Sequence, residues 1–80
     1  MKAITKEIRQ VLNAHPYAWV RTWDDGTSSV GSTSYDGERK SADREAMAAT
    51  LRTAGFIATE EGAPGTSGEY LLRVTKPENL

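Results

Sequence analysis

Apolar residues in the first segment recur at helical spacing. Ile4, Ile8, Val11 and Leu12 fall at i, i+4, i+7 and i+8, with Lys2, Lys6, Glu7, Arg9, Gln10 and Asn13 between them. That stripe predicts an amphipathic helix over residues 2–14. Pro16 is expected to end it, because proline lacks an N–H and disfavours helical geometry at the residue before it. The period then shortens to two. Residues 17–23, YAWVRTW, are aromatic and β-branched and are followed by Asp24-Asp25-Gly26, which predicts a strand and a hairpin turn. The returning arm, 27–35, is polar, with only Val30 and Tyr35 to pack. It is expected to be an edge or weakly buried strand. Tyr35-Asp36-Gly37-Glu38 reads as a turn leading out of it.

A second helical period covers 42–54. Met47, Leu51 and Ala54 share a face with Ala48 beside them, Ser41 is the expected N-cap, and Gly55 is placed to end the helix in a left-handed conformation. Asp43 and Glu45 lie in the first turn, where the helix dipole favours negative charge. Segments 56–60 and 69–75 predict a second hairpin, with Tyr70, Leu72 and Val74 alternating toward the helices. The intervening EGAPGTSG is expected to be mobile, and residues 76–80 to fray. The order helix, hairpin, helix, hairpin predicts an α+β domain spanning 1–80. Its expected architecture is a four-stranded antiparallel sheet with two helices on one face.

Composition changes this picture little. A chain of 80 residues makes one domain and buries only roughly 60% of its unfolded surface. It has no cysteine, so disulfides, thiolate zinc sites and thiol nucleophiles are excluded, and a reducing cytoplasm fits. No apolar run approaches the length of a membrane span or a secretory signal. The Met start reads as that of a complete small gene product.

Catalysis is not expected. His15, the single histidine, precedes Pro16 at a predicted helix end, and the serines at 28, 29, 32 and 34 have no base near them in sequence. Asp24 and Asp25 are adjacent on a turn, without the spacing of a catalytic carboxylate pair. The GAPGTSG run lacks the lysine and the strand–loop–helix context of a phosphate loop. No cofactor and no metal site is expected.

The distinctive segment is the aromatic strand. Alternation places Tyr17, Trp19, Arg21 and Trp23 on one face and Ala18, Val20 and Thr22 on the other. If the small face packs under the helices, the large one points outward as a binding surface, since Trp, Tyr and Arg dominate interface hot spots. The competing arrangement puts both tryptophans in the core with Arg21 reaching out along them. Stacking of bases on the aromatic row is a second use. Against it, Arg21 is the strand's only charge and the nearby turns are acidic. Net charge is −1, with Asp24, Asp25, Asp36, Glu38, Glu60, Glu61 and Glu69 gathered at predicted turns. Together with Trp19 and Trp23 they form the candidate partner-binding set, and a basic protein surface is the chemistry they fit. If the sheet order brings both hairpins to one edge, the acids form a single negative patch.

Over its full length, from MKAITKEIRQVLNAHPYAWV to FIATEEGAPGTSGEYLLRV, the chain resembles the small anti-CRISPR proteins of phages and prophages, most closely a type I-C inhibitor. The resemblance implies binding to the Cascade effector complex of a type I CRISPR system in the bacterial cytoplasm, at the basic surface where target DNA enters. It implies neither a shared fold nor a shared motif. A monomer or weak homodimer is expected, with no small-molecule substrate and no membrane.

Overall fold

The computed structural model describes residues 4–62, 65–66 and 69–77. Its elements run α1 (Thr5–Val11), β1 (Ala18–Thr22), β2 (Ser28–Ser32), α2 (Gly37–Thr53), β3 (Ile57–Glu60) and β4 (Leu72–Thr75). The four strands form one antiparallel sheet in the order β1-β2-β4-β3. Both helices cover the same face. Ile4, Ile8 and Leu12 from the first helix segment and Met47, Ala48 and Leu51 from α2 close over Val30, Ala58, Leu72 and Val74. The expected α+β architecture is present, with the elements in the expected order.

Several boundaries differ. Helix α1 ends at Val11, not at Pro16, because Asn13 N–H turns back to the Gln10 carbonyl and tightens the last turn. Pro16 instead occupies the corner of a turn closed by Ala18 N–H donating to the His15 carbonyl at 3.1 Å. Helix α2 begins at Gly37, so 35–38 is only partly a turn. Its N-cap is Asp36, whose carboxylate accepts from Glu38 N–H, rather than Ser41. At the other end Ala54 is exposed, while Gly55 takes φ +97°. Phe56 N–H donates to Leu51 O and Gly55 N–H to Arg52 O, closing the helix as a Schellman motif with Phe56 packed beside Leu51.

The first hairpin turns through Asp24-Asp25-Gly26. Gly26 has φ +86° and donates to the Trp23 carbonyl, and Trp23 N–H donates to Thr27 O at 2.9 Å. This is a three-residue loop whose last position requires glycine. Its returning arm is the largest departure from expectation: β2 is not an edge strand but lies between β1 and β4, buried throughout. Its hydroxyls are satisfied within the protein. Ser28 pairs with Thr5, Ser29 with Trp23 and Glu61, and Ser32 donates to Asp43 at 2.7 Å. Small polar side chains can be interior when each finds such a partner. In the second hairpin, residues 69–70 form a turn ahead of β4, and Tyr70 lies against the start of α2, with Lys40 Nζ 5.7 Å from its ring centroid. Much of the expected mobile loop (63–64, 67–68) and of the tail (78–80) lies outside the described residues.

Candidate interaction face

The sheet face opposite the helices carries the aromatic row. Parity in β1 sends Ala18 and Val20 against the core and leaves Trp19, Arg21 and Trp23 on the far side. The register sets Trp19 beside Gly31 and Arg21 beside Ser29, with Arg73 and then Thr59 continuing the latter row across β4 and β3. Gly31 makes the left of this face possible. A Cβ there would stand 2.6 Å from Leu71 Cδ2 and 2.9 Å from the Trp19 ring. The missing side chain lets the two large groups meet over the sheet. Both tryptophans are half-buried, whereas Tyr17 is 46% exposed and Tyr35 fully so.

Trp23 is held from several directions. Its indole N–H donates to Ser29 Oγ at 2.6 Å, and the Ser29 hydroxyl donates in turn to Glu61 Oε1 at 2.5 Å. Arg73 Nε donates to the same carboxylate oxygen at 3.0 Å, and Arg73 Nη1 reaches Thr27 Oγ1 at 3.3 Å. Thr27 donates both its hydroxyl and its N–H to Asp25 Oδ1. The guanidinium of Arg21 lies 4.4 Å from the Trp23 ring centroid and that of Arg73 lies 5.1 Å from it. The result is a cross-strand chain of fixed donors and acceptors from the hairpin tip to the far edge of the sheet.

Several of the candidate acids are therefore engaged by groups of the protein itself, although of these only Glu61 and Glu69 are partly buried. Burial disfavours the charged form of Glu61, but hydrogen bonds from Ser29 and Arg73, with the charges of Arg73 and Arg21, outweigh it and hold the carboxyl below its ordinary range. Hydrogen bonds from the Thr27 side chain and backbone likewise lower Asp25. Asp36 caps α2, Glu60 lies 4.0 Å from Arg44, and the Glu69 carboxylate accepts from Gly65 N–H. The negative charge of Glu69, with a hydrogen bond to it, raises the Tyr70 hydroxyl. Asp24 and Glu38 are exposed. The expected single negative patch does not form. The first hairpin tip adjoins Ser28, which pairs with Val74, while the β3–β4 connection leaves from the Glu60–Leu72 pair at the other end of the sheet. Asp24 and Asp25 thus sit at one end, and Glu60 and Glu69 at the other.

Three members of this face escaped sequence reasoning: Ser29, Leu71 and Arg73. For Leu71 and Arg73 the signal was present, since they alternate with the core residues Leu72 and Val74. His15 serves as a tether. Thr50 Oγ1 donates to the Ala46 carbonyl, so it accepts from His15 Nε2 at 3.0 Å, joining the α1–β1 turn to α2. Among the described residues, no group of three or more His, Asp or Glu side chains is arranged to hold a metal ion.

No known family, curated protein or solved structure matches this chain. The open face offers rigid aromatic rings, two guanidinium groups and a neutralised carboxylate on a flat, hydrogen-bonded support, which suits recognition of a large surface.

Proposed function

We propose that this chain is a small inhibitor that binds a macromolecule through the helix-free sheet face. The partner proposed is the Cascade effector complex of a type I CRISPR system, of which type I-C is the subtype the sequence resemblance favours. Binding there blocks target DNA recognition. The observation that carries the binding role is the row Trp19, Arg21 and Trp23 opposite the helices, with Trp23 locked through Ser29, Glu61 and Arg73. Tyr17, exposed beside it, lies under Arg39 of α2. Immobilised aromatic and arginine groups lose little entropy on binding and make strong anchors. The acids at the two ends of the sheet bracket this row, so a basic partner meets negative flanks around an aromatic centre whose guanidinium groups, Arg21 and Arg73, are stacked on Trp23. Rim charges of this kind mainly speed encounter and set orientation.

The test is affinity for the isolated type I-C effector complex at low and high salt, with target DNA as competitor and folding checked by circular dichroism. Tyr17→Ala and Trp23→Ala should weaken binding more than any single acid replacement. Joint reversal of Asp24 and Asp25 to Lys should slow association and reduce its salt dependence. Absence of binding to the effector, or binding that leaves DNA recognition intact, would sink the proposal.

A second reading, direct nucleic-acid binding, draws on Arg21 and Arg73 beside Trp23. The same contacts count against it, because both guanidinium groups already occupy the ring on which a base would stack. Salt-dependent binding of single-stranded DNA or RNA by the isolated protein would favour this reading instead.

A further inference from the structure

The two edges of the sheet are finished differently. Along β3, the Thr59–Arg73 and Glu61–Leu71 pairings direct those residues' backbone groups inward, so Ala58 presents its carbonyl outward. Arg52 covers that carbonyl with two donors, Nε at 3.2 Å and Nη2 at 2.6 Å. On the opposite edge, Thr33 N–H to Tyr17 O and Trp23 N–H to Thr27 O fix the alternation of β1. The backbone groups of Val20 and Thr22, and the carbonyl of Ala18, therefore face outward. There the cover among the described residues is slight, a contact from Arg9 Nη2 to Val20 O at 3.5 Å. A groove of about 390 Å³ runs beside this edge, between Arg9 and Leu12 of the helical side and Ala18 and Val20 of the strand.

The sequence of β1 is complementary to itself. Consider antiparallel pairing of two copies about Val20. Val20 then exchanges both backbone bonds with its counterpart, and Thr22 N–H meets the second copy's Ala18 carbonyl. On the open face, Trp19 falls opposite the second copy's Arg21 and Arg21 opposite its Trp19. Trp19 and Arg21 of each copy thus gain a cation–π neighbour, and no like charges stand directly opposite on that face. On the helical side, Arg9 of each copy gives up the Val20 carbonyl to the second copy's Val20 N–H. Centring on Arg21 instead would set the two arginines against each other. Centring on Val20 is also the register that pairs all five residues of the strand. An unpaired edge is a template for such addition unless it is blunted, as β3 is by Arg52.

We infer that this chain forms a two-fold homodimer by β1–β1 pairing centred on Val20, giving one continuous sheet with all four helices on one side. The inference does not depend on the identity of any other partner. The test is sedimentation of the purified protein alone over a wide concentration range, with reversible dimerisation expected. Val20→Pro removes an outward N–H that the β1–β2 ladder does not use, so it should give a monomer with an unchanged circular dichroism spectrum. A second arm keeps the native edge. Because the chain has no cysteine, Ala18→Cys and Thr22→Cys can be oxidised singly and mixed, and the mixture should cross-link far faster than either alone. A monomer at every concentration would overturn the inference. So would a dimer that folded Val20→Pro leaves intact, or self-linking of either cysteine variant that matches the mixture.

Discussion

At Gly31 the absence of one methyl group decides how the open face closes. The atoms a Cβ would strike belong to Trp19 and Leu71, so Gly31→Ala must push one of them off its place. Overpacking of this kind costs about 1–3 kcal/mol. The expected outcome is a lower urea midpoint together with altered tryptophan emission. Ser29 poses the opposite problem. Its hydroxyl is both acceptor for Trp23 and donor to Glu61, and Ser29→Ala leaves two polar groups without this partner. A loss of about 1–3 kcal/mol is expected in denaturant unfolding. Glu61 adds a pH dependence whose sign is fixed. Its folded-state pKa is depressed, so its stabilising contribution is fully present above the unfolded carboxyl value and is lost as pH falls through the folded one. Glu61→Gln should be less stable than the native chain at neutral pH, and the gap should narrow in acid. Urea midpoints measured across that range check this, and a gap that is constant with pH would contradict the assignment.

The elements show which signals in the chain were sufficient. Helical spacing of Ile4, Ile8 and Leu12, and of Met47 and Leu51, identified both helices, and their buried faces are the ones the spacing implied. Parity in YAWVRTW separated Ala18 and Val20 from Trp19, Arg21 and Trp23, but it left open how far the tryptophans are exposed, and it did not foresee Tyr17 lying under Arg39 of α2. The boundaries were harder because caps compete. Asp36 and Ser41 are both good N-caps, and the choice went to Asp36 because the chain leaving β2 turns there, with Tyr70 lying over Gly37. Burial of β2 was illegible for a different reason. Serines normally mark exposure, and only the partners brought by Thr5, Asp43 and Glu61 reverse that preference. Glu61 was read as surface charge for the same reason, since Arg73 and Ser29, which engage it, are distant in sequence. Two helix-end changes follow. Gly55→Ala meets open space, so its cost is purely the left-handed backbone, about 1–2 kcal/mol. Asp36→Ala should cost about 1 kcal/mol through the lost cap. Thermal unfolding followed by far-ultraviolet dichroism checks both.

For the whole molecule, the decisive feature is the strand order β1-β2-β4-β3. Neither hairpin has a second neighbour until β4 pairs with β2, and a lone two-stranded hairpin is marginal in water. A chain truncated after Tyr70 should therefore lack a cooperative unfolding transition, which calorimetry would register directly. The same order has a consequence for how the protein is made. Of these strands β4 leaves the ribosome last, yet it belongs inside the sheet, so the earlier part of the chain waits unfinished during synthesis. Trp19 and Leu71 close together over Gly31, and Trp23 is held through Ser29 by Glu61 and Arg73, so the aromatic row on β1 acquires its shape only when β4 arrives. A prematurely terminated copy would carry the Tyr-Trp-Arg-Trp residues without the surface they form, and could not act as a weak competitor of the finished protein.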